Sequence, residues 1–266
     1  NRENITETAL KHGLCPFELS LDLATHCDLI ICDYNYVFDP RVSLKRFFQQ
    51  KSREDCVLLI DEAHNLFDRA REMYSASLSK KEILEMSRLV KKDLPAVSRA
   101  LRRISRALVP LERKAVENLS EAGGISYYVS SEYPDVLDAP LSDFISETER
   151  WMLGMGDEEK EYSESLVSLF FDLLHFKNTA ELYSSEYRTL ITWEGGYPRL
   201  TLMCMDPGVM LGRIMDTARS AILFSATLSP LSYFRDILGG APEDATLKLP
   251  SPFPRENLLV VIEDSV

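Results

Sequence analysis

Leu58-Leu59-Ile60-Asp61-Glu62-Ala63-His64 decides how this chain is read. The apolar run from Cys56 to Ile60 is short, continuous and partly β-branched, the pattern of a parallel strand covered on both faces. Such a strand delivers two adjacent carboxylates, Asp61 and Glu62, at its carboxyl edge, where open α/β sheets bind ligands. In phosphoryl transfer an Asp in this place holds Mg²⁺, and the next acid orients the attacking water. His64 falls on the first turn of the following helix, close to both. A lone Asp-Glu pair at a strand end is common and usually caps the next helix. Asp-Glu-Ala-His behind an apolar strand is far more specific.

Two further runs read as strands of the same layer. Leu29-Ile30-Ile31-Cys32 follows an amphipathic helical pattern from Pro16 to Thr25. Ala221-Ile222-Leu223-Phe224 ends at Ser225-Ala226-Thr227. Helical patterns cover 44–49, 63–72, 207–218 and 231–238. Strands alternating with helices give an α/β fold with a mostly parallel sheet. Ser225 and Thr227 alone would read as helix caps. Beside Asp-Glu-Ala-His they are candidate relay hydroxyls, and the two motifs together match motifs II and III of superfamily 2 helicases.

The middle of the chain differs. Ile83, Met86, Val90, Leu94, Val97, Leu101, Ile104, Leu108 and Leu111 recur at steps of three and four, one helical stripe. Pro95 suits a first helical position, and Pro110 is expected to kink or end the helix. Gly123-Gly124 reads as a break and Gly154-Met155-Gly156 as a turn. Helical patterns follow over 136–152 and 159–187. Thr189 to Trp193 and Arg199 to Met203 then flank Glu194-Gly195-Gly196-Tyr197-Pro198, a β-hairpin. The domain organisation expected is a discontinuous α/β unit, 1–75 with 205–266, enclosing a mostly helical insertion, 76–204, that closes on the hairpin.

The chain has 266 residues, 42 acidic and 30 basic, a formal charge of −12 and 45% hydrophobic residues. These are globular values, and the net charge taken whole argues against a general polyanion binder. Its distribution argues otherwise. Residues 80–114 carry 11 basic and 4 acidic side chains, whereas residues 117–186 carry 3 and 16. The two stretches either face each other, are simply solvated, or leave a basic helix free for a polyanion. Arg41 to Arg53 holds five basic residues and no acid, a second phosphate-facing candidate. No apolar run is long enough for a membrane helix. Five cysteines at irregular spacing form no disulfide framework. Cys27, Cys32 and Cys56, in or beside expected strands, read as core thiols. The first residue is Asn1, so the chain is expected to be a piece of something longer.

Four passages carry a family resemblance: His12-Gly13-Leu14-Cys15-Pro16-Phe17-Glu18, Cys32-Asp33-Tyr34-Asn35-Tyr36-Val37-Phe38-Asp39-Pro40, Ile60-Asp61-Glu62-Ala63-His64-Asn65, and Phe224-Ser225-Ala226-Thr227-Leu228-Ser229-Pro230. A fifth, Leu249-Pro250-Ser251-Pro252-Phe253-Pro254, looks like a link between motor domains. Together they resemble the iron–sulphur DNA helicases related to the xeroderma pigmentosum group D protein and the bacterial DinG helicase. The resemblance implies a partial RecA-like motor domain with an arch-type insertion, and ATP-dependent 5′-to-3′ helicase activity with ATP and Mg²⁺. Asp61 would hold Mg²⁺, Glu62 would position the water, and His64, Ser225 and Thr227 would couple hydrolysis to movement. Tyr34, Asn35, Tyr36 and Arg41 would line the single-strand path, although an aromatic cluster packing the helix–sheet layer is the ordinary alternative.

Cys15 would be the last of four ligands of a [4Fe–4S] cluster, the others lying upstream, so no cluster is expected in this chain. The implied partners are single-stranded and forked DNA, with protein partners through the insertion and no membrane. The implied location is cytoplasmic in a bacterium and nuclear in a eukaryote. The sequence contains no Gly-x-x-x-x-Gly-Lys-Ser/Thr loop, so these residues alone are expected to be inactive. A non-enzymatic DNA- or partner-binding module is the second reading. A metalloenzyme built on Asp61, Glu62 and His64 is a weak third, since His-Glu-x-x-His is absent.

Overall fold

The computed structural model describes residues 2–48, 56–122, 125–154, 160–257 and 259–261. The chain opens with α1 (Arg2–His12) packed on α2 (Pro16–Ala24), whose first helical residue is a proline. Two short helices, α3 (Asn35–Phe38) and α4 (Lys45–Phe48), precede strand β1 (Val57–Ile60). A single 3₁₀ turn over Ala63–Asn65 then leads into α5 (Leu66–Met73).

The α/β layer is smaller than expected. β1 pairs in parallel with one described strand, β7 (Ser220–Leu223), from Val57 opposite Ser220 to Ile60 opposite Leu223. Residues 29–32 form no strand, and Leu29 and Ile31 are 70% and 89% exposed. An apolar run becomes a buried strand only where neighbours pair its backbone and cover its faces. No described strand does so here. For the same reason β1 is covered on one face only: Leu58 and Ile60 are buried, Val57 and Leu59 are 50% and 61% exposed. Cys27 and Cys32 are exposed and Cys56 half-buried, so the expected core role fails; the buried thiol is Cys204.

Where a helical block was expected, an antiparallel sheet stands beside the helices. β2 (Ala76–Ser79), β3 (Ser120–Ala122), β4 (Ile125–Ser130), β5 (Tyr187–Glu194) and β6 (Tyr197–Cys204) are ordered β2-β6-β5-β4-β3. The hairpin between β5 and β6 is as read. Gly195 and Gly196 both take positive φ, 56° and 81°, as a two-residue type I′ turn requires. The strands not foreseen are short: β2 alternates over four residues only, and β4 does not alternate.

The helices are α6 (Lys80–Leu89), α7 (Pro95–Glu117), α8 (Asp138–Leu153) and α9 (Ser163–Ala180). Ser79 caps α6, its side chain accepting from the Glu82 N–H. Pro95 starts α7 as expected, but Pro110 neither ends it nor divides it. Pro110 lies on the exposed side, where water can satisfy the Arg106 carbonyl that loses its partner. Tyr187 belongs to β5, not to the preceding helix. Gly123-Gly124, and the turn residues Met155 and Gly156, lie outside the described residues.

The returning chain forms α10 (Gly208–Met215), β7 and α11 (Leu231–Ile237). α11 ends against α10 through glycines: a Cβ on Gly239 would stand 2.2 Å from the Gly208 carbonyl oxygen. One continuous core runs through both sheets, from Phe38, Ile60 and Leu66 to Leu101, Phe144, Phe176, Leu200 and Leu211.

Candidate ATP-hydrolysis site

The carboxyl edge of β1 and β7 is zipped one step beyond the strands. The Phe224 N–H donates to the Ile60 carbonyl at 3.0 Å, and the Ala63 N–H to the Phe224 carbonyl at 3.1 Å. Between those bonds Glu62 is forced into the left-handed region, φ 47° and ψ 40°. A non-glycine residue there stores strain of about 1 kcal/mol or more, which surrounding contacts must hold. Tyr34 is one such contact. Its hydroxyl donates to the Asp61 carbonyl and lies 3.0 Å from the Glu62 carbonyl. Partial burial, then the nearby charges of Asp61 and Glu62, push the Tyr34 phenol up and keep it a donor.

The side chains converge on one hydroxyl. Ser225 Oγ lies 2.8 Å from His64 Nδ1 and 3.2 Å from both Glu62 Oε2 and Thr227 Oγ1. The Thr227 N–H also reaches it at 3.2 Å. A hydroxyl has one proton to give and two lone pairs. If Nδ1 carries its proton, His64 donates to Ser225 and Ser225 donates to Glu62. The orientation of the Glu62 carboxylate is thereby tied to the loop after β7. Asp61 accepts from the Glu62 N–H through Oδ1 at 2.8 Å. Beside this network an open recess of about 370 Å³ is lined by Asp33, Tyr34, Asn65, Asp68 and Arg69.

Asp61, Glu62, His64, Ser225 and Thr227 are thus brought together. Two exposed carboxylates at a strand edge fit Mg²⁺, which takes one or two carboxylates and keeps water and phosphate as its other ligands. A four-thiolate cluster does not fit: no three metal-binding side chains converge among the described residues. Cys15 is an exposed thiol just before α2.

The other expected site residues are spread out. Asn35 begins α3, its N–H on Asp33 Oδ1 at 3.2 Å, and the Tyr36 ring stacks on Phe17 with centroids 6.3 Å apart. Arg41 grips the buried carboxylate of Asp39, Nη2 to Oδ2 at 2.7 Å and Nε to Oδ1 at 3.0 Å. Burial alone would raise the Asp39 carboxyl, but the bonds from Arg41 outweigh it and hold it below its usual range. Arg46 bridges Glu18 and Asp22 of α2. Lys51 and Arg53 lie outside the described residues. The basic run from Arg41 therefore spends two of its guanidinium groups on internal carboxylates. The structural grip of Tyr34 on the Asp61-Glu62 backbone has no signal in sequence, because it spans 27 residues without a pattern.

Residues 1–83 match the family model described as DEAD_2. The ATP-dependent DNA helicase CHL1 of Coccidioides immitis is 24% identical over 259 residues, covering 89% of this chain and 30% of the relative. The XPD subunit of the general transcription and DNA repair factor IIH of Schizosaccharomyces pombe is 22% identical, covering 89% and 38%. The chain is related to the XPD-type superfamily 2 helicases. It spans about a third of the length of these curated relatives. A solved structure titled XPD_Helicase superposes with a TM-score of 0.55 at 20% identity, covering 90% of this chain and 39% of that one. One titled Truncated XPD gives 0.54 at 21%, covering 89% and 62%. The α/β fold is therefore the XPD-type helicase fold, and the Asp61-Glu62-Ala63-His64 edge lies within the DEAD_2 match.

Proposed function

We propose that these residues supply the hydrolytic edge of an ATP-dependent 5′-to-3′ DNA helicase. The observation that carries the reading is the hydrogen-bonded set Glu62, His64, Ser225 and Thr227 beside Asp61 at the end of two parallel strands. Asp61 would hold Mg²⁺ through water, and bound Mg²⁺ would neutralise phosphate charge. Glu62 would orient the attacking water and accept its proton. Ser225 and His64, bonded to that carboxylate, would pass its state to the loop after β7, and Tyr34 to the segment after α2. Residues 76–204 would be the arch-type insertion, with residues 1–75 and 205–266 the discontinuous motor part. Tyr36 and Asn35 would touch the single strand, and Cys15 would give one thiolate to a cluster completed elsewhere. The relatives named above are eukaryotic, which favours a nuclear setting. No helix of the described residues is long and apolar enough to cross a membrane.

The test is Glu62→Gln in a polypeptide that joins these residues to a phosphate-binding loop and a second motor domain. ATP hydrolysis should fall by at least about a hundredfold, the size of a lost general base, with ATP binding retained. Retained turnover would reject the role. A second reading, a DNA- or partner-binding module without catalysis, is favoured for the 266 residues alone by the absence of a Gly-Lys-Ser/Thr loop. Hydrolysis by these residues alone would reject that reading.

A further inference from the structure

The hydrolytic site leaves the basic stretch unused. α6 and α7 form an antiparallel hairpin whose register is set by Ser98 Oγ donating to the Ser87 carbonyl at 2.6 Å and by the Lys80–Glu112 pair. At about 100° per residue, Arg99, Arg102, Arg106 and Arg113 share roughly 60° of the α7 surface, next to the Ser98 flank. Lys81 and Arg88 rise on the flank of α6 that borders the same groove, and Lys91 follows just beyond the end of that helix. Among the described residues none of these side chains has an ion-pair partner.

The acidic layer is engaged elsewhere. Arg103 pairs with Asp143 of α8, and Lys114 with Glu132, both on the flank of α7 beyond Arg99 and away from α6. Among the hairpin's carboxylates, Glu117 shares the Arg99 face about one turn beyond Arg113, and the others are placed away from the groove. Glu112 holds Lys80, Asp93 holds Lys160, and Glu82 lines a separate recess toward α9. Glu85 lies on the far flank of α6. The expectation that the two charge blocks face each other thus holds for one side of α7 only.

We propose that this outer groove binds the phosphate backbone of a single nucleic-acid strand. The row from Arg99 to Arg113 is about 21 Å long at 1.5 Å per residue, enough to face about four phosphates of an extended strand. It is one file of charges, where a duplex would present two backbones. It also lacks the apolar or aromatic anchor that protein interfaces centre on. Leu89 and Val116, the exposed large apolar side chains of these helices, lie off the row or beyond its end. The acidic residues behind the hairpin repel the strand within a Debye length of about 8 Å and confine it to this face. The surface acts without ATP and does not depend on the hydrolytic reading.

The test is fluorescence anisotropy of a labelled twenty-nucleotide oligothymidylate with the 266-residue chain, across a salt series and without nucleotide. With about four phosphate contacts, log affinity should fall with log salt at a slope near −3, by about 0.7 per contact. Arg102→Ala with Arg106→Ala should weaken binding about tenfold or more and flatten the slope by about 1.4. Arg213→Ala with Arg219→Ala removes the same charge from exposed sites elsewhere and should change little; circular dichroism confirms that all variants fold. The proposal is overturned if the wild-type chain shows no salt-dependent binding, or if the two double variants behave alike. It is also overturned if an acidic helical peptide binds the row more tightly than the oligonucleotide, which assigns the groove to a protein.

Discussion

Glu62 and Tyr34 show how one strained residue is held. The left-handed backbone at Glu62 turns its carboxylate toward Ser225 and His64, and the Tyr34 hydroxyl clamps the carbonyls on either side of that turn. Removing the hydroxyl leaves two carbonyls short of a donor, a loss of about 0.5–1.5 kcal/mol for a neutral bond. Tyr34→Phe should therefore lower the urea midpoint of the chain modestly. In a hydrolysing polypeptide it should lower kcat about tenfold with little change in KM for ATP, since it displaces Glu62 without touching the nucleotide. An unchanged kcat would reduce Tyr34 to packing. Half of this site was legible in sequence: Asp-Glu-Ala-His after an apolar run and Ser-Ala-Thr after another are dense local signals. The clamp was not, because a single tyrosine hydroxyl carries no periodicity.

At the scale of elements, α7 illustrates pattern and packing in agreement. Its apolar stripe Val97, Leu101, Ile104 and Leu108 is buried, and its arginines are outside. Leu101 is fully buried. Leu101→Ala should cost about 2–5 kcal/mol by lost transfer energy and the cavity left behind, read as a fall in the urea midpoint. Arg99→Ala, on the solvent side, should stay within about 0.5 kcal/mol. The same helix shows where pattern fails. Pro110 costs one internal hydrogen bond, but packing along the whole stripe carries the helix through it to Glu117.

At the scale of the whole molecule, α9 packs on the antiparallel sheet through β2 and β6. His175 of α9 reaches the Ser75 carbonyl at the entry to β2, Nε2 to oxygen at 3.0 Å. Burial, the largest influence, drives the His175 pKa below its usual value, with Arg41 adding to the fall and Asp39 and Asp172 opposing it. The folded state therefore prefers neutral imidazole, while the unfolded chain takes a proton near the ordinary value of about 6.5. Stability is full above that value and is lost as pH falls through it toward the depressed folded pKa. Urea midpoints between pH 8 and pH 5.5 should fall more steeply for the wild-type chain than for His175→Gln. Parallel curves would show that His175 does not titrate on unfolding.

The sequence by itself determined the elements whose code is local: the helical stripes, the Gly-Gly hairpin, the strand before Asp61 and the motifs at two strand ends. It also separated a basic from an acidic stretch. Only the tertiary structure decided which apolar runs became strands. Leu29 to Cys32 and Val57 to Ile60 have similar composition, yet among the described residues only the second pairs with a strand. It likewise decided that Arg41 and Arg46 are spent on internal carboxylates, while Arg99, Arg102 and Arg106 have no ion-pair partner among the described residues. The physical reason is the same in both cases. Strand pairing and ion pairing are satisfied by residues far along the chain, and their geometry exists only once the helices and sheets have packed.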